Sequence, residues 1–255
     1  MHWRCFRYEI VDSTSDRAFD AWESGDGRHG DVFISETQLA GRGTRGRRWA
    51  SEPGGLYMSV ILESPSIPLP GLWTIAGALA AHDAATRFGA SVGLDWPNDV
   101  IAQNGAKLAG VLAESRGLQP GGAAVFVLGI GMNVIGHVPE EQLDRKRQVV
   151  TLEEIGCDVT KEALELILLA ALDVRVLQAA DAPETLYADF YARCVQGGHD
   201  VILEVGETTV TGRLEGLTPD ACLRILDPDT GDHQRVSIAH VRKMRLKDSA
   251  DATES

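Results

Sequence analysis

Gln38-Leu39-Ala40-Gly41-Arg42-Gly43-Thr44-Arg45-Gly46-Arg47-Arg48-Trp49, followed by Ser51-Glu52-Pro53-Gly54-Gly55 and the apolar run Leu56-Tyr57-Met58-Ser59-Val60-Ile61-Leu62, is the stretch on which the fold turns. Its Gly41-x-Gly43-x-x-Gly46 spacing matches the dinucleotide-binding fingerprint in letters. That fingerprint needs a helix directly after its glycines, because the helix N-terminus holds the pyrophosphate. Here a Pro-Gly-Gly turn and a strand-like run follow instead, so the unit is strand, arginine-glycine loop, strand. Kinase glycine loops share this layout, but no His-Arg-Asp or Asp-Phe-Gly follows. The absence of Gly-Lys-Ser/Thr excludes a P-loop. What remains is four arginines among three glycines in an otherwise acidic chain. Guanidinium forks bind phosphate and carboxylate bidentately, and glycines let a backbone come close to a ligand. The loop reads as an anion clamp, with a flexible solvated loop as the plain alternative.

The chain has 255 residues and 44% hydrophobic content, enough for one large domain or a large plus a small one. No apolar run approaches the ~20 residues needed to cross a bilayer. Met1-His2-Trp3-Arg4-Cys5-Phe6 lacks a signal-peptide core. The four cysteines (Cys5, Cys157, Cys194 and Cys222) are scattered without a Cys-x-x-Cys, which suits reduced thiols in a cytoplasmic protein rather than a disulfide frame or zinc site. The seven histidines form no His-Glu-x-x-His, so no protein-held metal is expected. A net charge of −13 argues against non-specific nucleic-acid binding.

Along the chain, residues 3–11 read as a first strand. Ser13 to Asp16 offer N-caps to a helix carrying Ala18, Phe19 and Trp22 at helical spacing. Residues 31–36 and 56–63 are strands, and Pro65, Pro68 and Pro70 mark a turn. Leu72, Ile75, Ala76, Leu79, Ala80 and Ala84 predict a main packing helix over 72–88, stopped at Gly89. Strands follow over 92–96, 100–103, 107–115 and 123–134, with a turn at Gln103-Asn104-Gly105. Residues 136–149 are polar and read as a mobile loop. Thr151-Leu152-Glu153-Glu154 has capping-box spacing, 160–180 is a long helix, and Pro183 starts another that runs to about 195. Gln196-Gly197-Gly198 marks a boundary, giving domains 1–196 and 197–247. In the second, strands over 201–205, 208–214, 222–226 and 234–238 suggest a small SH3-like β-barrel. Residues 248–255 form a polar tail expected to be disordered.

Two further segments support the loop. Asp95-Trp96-Pro97-Asn98-Asp99 sits at a strand-turn junction, where Pro97 fixes the turn and Asn98 and Asp99 offer polar groups to a ligand or cation. Lys107, which opens the apolar run Leu108-Ala109-Gly110-Val111-Leu112, is either a solvated strand start or, beside the arginine loop, a partner for a carboxylate or α-phosphate. Gly129-Ile130-Gly131-Met132-Asn133 alternates glycines in an apolar strand, which marks either a bulge or the close approach of something flat.

Ser13-Thr14, Gln38 with the loop to Trp49, Trp96-Pro97-Asn98-Asp99, Lys107-Leu108-Ala109-Gly110 and Gly129-x-Gly131-Met132-Asn133 together resemble the biotin protein ligase family in order and approximate spacing, over about residues 8–195. The resemblance implies an α+β fold: a mixed sheet with packed helices, like the class II aminoacyl-tRNA synthetases, plus a C-terminal SH3-like β-barrel. It implies ATP, with Mg²⁺ on its phosphates, adenylating biotin to biotinyl-5'-AMP. It further implies transfer of the biotin to a lysine on a biotin carboxyl carrier domain of a carboxylase. Arg42 and Lys107 would be catalytic. Ser13, Thr14, Ser15, Gln38, Gly41, Arg42, Gly43, Thr44, Lys107, Gly110 and Gly131 would bind biotin. Arg42, Arg45, Arg47, Trp49, Asn98 and Asn133 would bind the nucleotide. The glycine loop and the 136–149 loop would act as lids. Nothing precedes the first strand that would form a winged-helix DNA-binding domain, so a monofunctional ligase without DNA or membrane partners is expected. The resemblance leaves a homodimer open.

The chain leaves the family pattern twice. Thr44 stands where the family usually has a second arginine that helps retain the adenylate, so the expectation is a leakier intermediate or substitution by Arg45 reaching back. Asp95 replaces a lysine and places a negative charge near an anionic site, weakening phosphate binding unless an arginine pairs with it. A lipoate or octanoate ligase or transferase of the same superfamily, and a non-catalytic biotin-binding adaptor, are the alternative readings.

Overall fold

A computed structural model describes residues 2–64, 71–118, 124–136 and 148–247 of the chain. β1 (Arg4–Val11) and β2 (Asp31–Gln38) run parallel, in register from Arg4 opposite Asp31 to Val11 opposite Gln38, joined through helix α1 (Thr14–Glu23). β3 (Gly55–Ser64) follows the arginine-glycine loop. Helix α2 (Leu72–Arg87) leads to β4 (Val92–Asp95), β5 (Asp99–Ala102), β6 (Lys107–Leu118) and β7 (Ala124–Asn133). The seven strands form one mixed sheet in the order β1-β2-β3-β7-β6-β5-β4. It is antiparallel apart from β1 and β2.

The sheet has two covered faces. On one, α2 is buried on nearly all sides, because its Ala76, Ala78, Ala80, Ala81, Ala84 and Ala85 are small enough to let neighbours close in. A Cβ at Gly77 would come within 2.8 Å of Val111 Cγ1, so glycine sets how near the helix lies to β6. Gly89, at φ 84°, ends α2 where the sequence places its stop. Helices α3 (Lys161–Asp181) and α4 (Pro183–Arg193) pack over α2. Thr160 caps α3 by accepting from the Ala163 amide at 3.2 Å. The three helices are tied by Arg175, whose guanidinium bonds Asp83 of α2 (2.7 Å) and Asp189 of α4 (2.6 Å). On the opposite face, α1 sets Ala18 and Phe19 against Phe33, Ile61, Val125 and Val127.

The capping box at Thr151 forms, with Thr151 N donating to Glu154 Oε2 and Glu154 N to Thr151 Oγ1, but it closes a turn rather than a helix. The expected proline turn at 65–70, most of the 136–149 loop and the 248–255 tail lie outside the described residues.

A second sheet is built from β8 (Asp200–Val205), β9 (Thr208–Leu217), β10 (Cys222–Leu226), β11 (His233–Ser237) and β12 (Val241–Leu246), in the order β11-β10-β9-β8-β12. The sequence reading did not include β12, because Arg242, Lys243 and Arg245 hide its single deeply buried side chain, Met244. β11 and β12 are opposite edges, yet only Ile238–His240 separate them in sequence. Edges of a flat five-stranded sheet lie about 19 Å apart. Four residue steps span at most about 14 Å, so the sheet must curl. Leu203, Leu214, Leu223 and Ile225 join the same apolar core as the first sheet. The join is also bonded: Val195 N donates to Leu94 O at 2.8 Å, and Tyr191 Oη to Leu214 O at 3.1 Å.

Candidate active site

The open half of the α1 face holds a cavity of about 1100 Å³, counting its mouth. Strand alternation explains much of its space. Four of the positions that project here carry Ser59 on β3, Gly110 on β6, and Gly129 and Gly131 on β7, and Leu112, opposite Gly129, is the larger side chain beside them. Ile61 and Val127, two residues along from Ser59 and Gly129, fill the same face beneath α1. The sheet therefore exchanges bulk for space within one pleat repeat, beside the N-terminus of α1.

The inner end of the cavity is polar and buried. Gln38 Oε1 accepts from the Thr14 amide (2.8 Å) and from Thr14 Oγ1 (3.0 Å). Its Nε2 donates to Ser51 Oγ at 2.9 Å. Thr14 Oγ1 and Ser15 Oγ lie 2.7 Å and 3.0 Å from Ser59 Oγ. Ser13, Thr14, Ser15 and Ser59 are all buried. Ser13 occupies the N-cap position of α1 without a side-chain bond to the helix.

The outer end is cationic. The arginine-glycine loop folds back on itself: Arg42 bridges to Arg48, Gly43 N donates to Arg47 O (2.7 Å), and Trp49 N to Gly41 O (2.9 Å). At its tip Arg45 (φ 62°) and Gly46 (φ 71°) turn left-handed. A Cβ at Gly41 would meet Ser51 Oγ at 2.7 Å, so this glycine serves close packing rather than a positive φ. Arg42 is bidentate on Asp16 of α1, at 2.7 and 2.9 Å, and reaches Glu114 at 3.4 Å. The Arg42 guanidinium holds the Asp16 carboxyl below the usual carboxylate range, helped by Arg116 at 3.2 Å. Lys107 Nζ lies 2.7 Å from Asp99 and 5.0 Å from the centre of the Trp49 ring. Trp49 rests on the glycine positions, where a Cβ at Gly110 or Gly131 would come within 2.7 or 2.6 Å of the indole.

Of the residues expected at the site, Ser13, Thr14, Ser15, Gln38, Arg42, Gly43, Thr44, Arg47, Trp49, Asn98, Lys107, Gly110, Gly131 and Asn133 line this cavity. Gly41 and Arg45 do not. Arg45 is exposed at the loop tip, so it is not seen reaching back over Thr44. Thr44 is instead held by Arg47, whose side chain donates to its Oγ1 at 3.0 Å and its carbonyl at 3.3 Å. Asn98 turns its amide onto the Val111 carbonyl (2.9 Å), fixing the turn after the cis Trp96-Pro97 bond. Asn133 donates to the Lys107 and Val150 carbonyls, both at 3.3 Å. Asp95 lies outside the lining and accepts from Gln196, so its charge belongs to the joint between the sheets rather than to the cationic, anion-binding end. Sequence reasoning missed Ser59, Arg48 and the Asp16–Glu114 pair. Ser59 is masked as one polar letter in a strand, and the acidic pair is 98 residues apart with no local signal.

The sequence model of the Biotin/lipoate A/B protein ligase family matches residues 8–133. The biotin--[acetyl-CoA-carboxylase] ligase of Paracoccus denitrificans is 32% identical over 205 residues, covering 76% of this chain and 83% of the relative. The bifunctional ligase/repressor BirA of Escherichia coli is 37% identical over 175 residues, 67% of this chain; the matched part is 51% of that protein, so the chain spans about half its length. Among solved structures, the biotin protein ligase from Aquifex aeolicus in complex with biotin and ATP has a TM-score of 0.77 at 26% identity, covering 95% of this chain and 99% of that one. The matches extend well beyond a short motif, the family model alone running from β1 to the end of β7, and the chain belongs to the biotin protein ligases of the biotin/lipoate A/B protein ligase family.

Proposed function

We propose that the chain activates biotin with ATP and transfers it to a lysine of a biotin carboxyl carrier domain. The observation that supports this most directly is one cavity with a buried hydroxyl-amide floor at one end and Arg42, Arg47, Arg48 and Lys107 at the other. A ureido head suits the floor at Ser13, Thr14 and Gln38, and a carboxylate meeting a triphosphate suits the cations. In the first step a biotin carboxylate oxygen attacks the α-phosphorus, and the bond to the β-phosphate breaks, releasing pyrophosphate. Arg42 and Lys107 hold the two anions together and stabilise the charge that builds on the phosphoryl oxygens. In the second step the carrier lysine, as free amine, attacks the carbonyl carbon. An amide forms, AMP leaves and the amine proton is lost. Trp49 and Asn133 are proposed to meet the adenine.

Among the described residues no carboxylate lines the cavity, and no three His, Cys, Asp or Glu side chains group into a metal site. The walls therefore do not fit a resident metal ion, and Mg²⁺ is assigned to the nucleotide substrate. Among the described residues no helix is long and apolar enough to cross a membrane.

The test is ATP–pyrophosphate exchange with biotin, lipoate or octanoate, followed by transfer to a carrier domain. Exchange with biotin alone and labelling of the carrier are expected. Exchange driven by lipoate or octanoate instead would move the substrate, and exchange with none would leave a binding protein or a transferase of preactivated acyl groups.

A further inference from the structure

Four hydroxyl groups at the cavity floor, those of Thr14, Ser15, Ser51 and Ser59, can point their protons in only one direction. The Thr14 backbone N–H is an obligate donor, so the Gln38 atom it meets is Oε1, and the other amide atom facing Ser51 is Nε2. Because Oε1 has no proton, Thr14 Oγ1 must donate to it. Thr14 Oγ1 has then used its single proton, so across its 2.7 Å contact Ser59 is the donor. Ser59 has in turn used its own, so Ser15 donates across 3.0 Å. At the far end Ser51 accepts from Gln38 and donates to the Trp49 carbonyl at 3.3 Å. The order is Ser15 to Ser59 to Thr14 to Gln38 to Ser51 to Trp49, fixed by two backbone groups that cannot reverse, the Thr14 amide at Gln38 and the Trp49 carbonyl at the end.

We infer that Ser59 is a positioning residue that polarises this chain, so that Thr14 and Ser15 offer lone pairs to a ligand and select a head group that brings N–H donors. Ser59 is fully buried and acts through its neighbours. With its lone pair taken by Ser15, it keeps the Ser15 proton from turning to the ligand, while Gln38 Oε1 holds the Thr14 proton. Thr14 and Ser15, which line the cavity, are left with acceptor capacity only. This rests on the ligase reading above and sharpens it. A cyclic urea carries two ring N–H groups, whereas a dithiolane or an alkyl tail carries none and would leave the acceptors dry and unpaired, which discriminates strongly.

The experiment measures, by calorimetry on the full chain, the affinity for biotin and for its cyclic carbamate analogue, in which ring oxygen replaces one ureido N–H. Wild-type protein is expected to bind biotin at least tenfold tighter than the carbamate. In Ser59→Ala the Ser15 proton loses its acceptor and can turn to the ring oxygen. Biotin is then expected to weaken about tenfold while the biotin-to-carbamate ratio falls below threefold, with kcat for exchange at saturating biotin little changed. Equal wild-type affinities, or an unchanged ratio in the variant, would overturn the inference while leaving biotin ligation standing. Failure of wild-type protein to bind biotin at all would overturn both. Equal wild-type affinities need no variant to show, so the inference can be overturned even where Ser59→Ala does not fold.

Discussion

A Cβ at Gly131 would come within 2.6 Å of the Trp49 indole, so the absence of that one carbon is what lets the ring lie on the sheet. Gly110, on the neighbouring strand, leaves room for the other side of the same ring. The indole nitrogen is buried there without a hydrogen-bond partner among the described residues, and the Lys107 ammonium stands 5.0 Å from the ring centre. Trp49 thus carries the loop onto the cavity wall, and the ring is fixed by shape and charge rather than by a hydrogen bond.

Gly131→Ala is therefore expected to push Trp49 off the wall. Gly131 is in ordinary strand geometry without a positive φ, so alanine strains no backbone there. The melting temperature should move little while biotin-dependent exchange falls by about 100-fold, the scale of an ångström-sized misplacement in an active site. Exchange near the wild-type rate would show that the position of Trp49 is immaterial.

Removing either cation should separate binding from chemistry. Arg42→Ala and Lys107→Ala are each expected to lower exchange by about 10²–10³-fold, as for loss of a group that stabilises developing charge. Arg42→Ala also leaves Asp16 and Glu114, 26 and 72 residues from Arg42 in sequence and both bonded to its guanidinium, facing each other across the gap. A second change, Asp16→Asn, should recover part of the loss in Arg42→Lys, where a single ammonium cannot grip two carboxylate oxygens. Near-normal exchange in either alanine variant would remove Arg42 or Lys107 from the chemistry.

How much of this was legible in the sequence depends on the range of the interaction. Helix α2 was readable because alanine periodicity and Gly89 are local signals, and the 3.6-residue period needs no partner to be seen. The alternating glycines of β7 were readable as a place where something flat comes close. That the flat group is the chain's own Trp49 was not, because Trp49 and Gly131 meet only through tertiary folding. β12 escaped because an edge strand protected by charges has little apolar pattern to show. Asp95 was assigned to the anion-binding end from its place beside Trp96, and the strand pleat turns it instead to Gln196. Sequence proximity gave the neighbourhood of the residue but not the face.

The Arg175 clamp should make the helical layer acid-labile. Burial alone would raise the Asp83 carboxyl, but bonds from His82 and Arg175 outweigh it and leave it lowered. Asp189 is lowered too, by Gln178 and then by Arg175. Groups held below their unfolded value of about 3.9 contribute stability that is complete above that value and is lost as pH falls through the folded one. Urea midpoints should therefore fall below about pH 4 in wild-type protein, and less steeply in Asp83→Asn. Arg175→Met removes the buried guanidinium but leaves Asp83 and Asp189, about a third exposed, with Arg193, His82 and Gln178, so a loss of about 1 kcal/mol is expected at neutral pH. Parallel acid profiles for wild type and Asp83→Asn would show that the clamp carries no pH dependence.

Thr44 gives the last prediction. Its hydroxyl accepts from Arg47, so the shorter side chain is coupled to an arginine three residues on rather than replaced by Arg45. This bond is exposed, and an exposed neutral acceptor holds a guanidinium weakly. If the loop closes over an adenylate, a Thr44 side chain held in this way should yield readily. Thr44→Arg is expected to slow release of biotinyl-5'-AMP several-fold without changing the rate at which it forms, because a second guanidinium would bind the phosphoryl group directly. Thr44→Ala should speed release by removing the hydroxyl's bond to Arg47. Both are read from the labelling of bystander lysines against the labelling of a carrier domain: the ratio should fall in the arginine variant and rise in the alanine variant. A ratio that is the same in all three proteins would show that retention of the intermediate does not depend on this position.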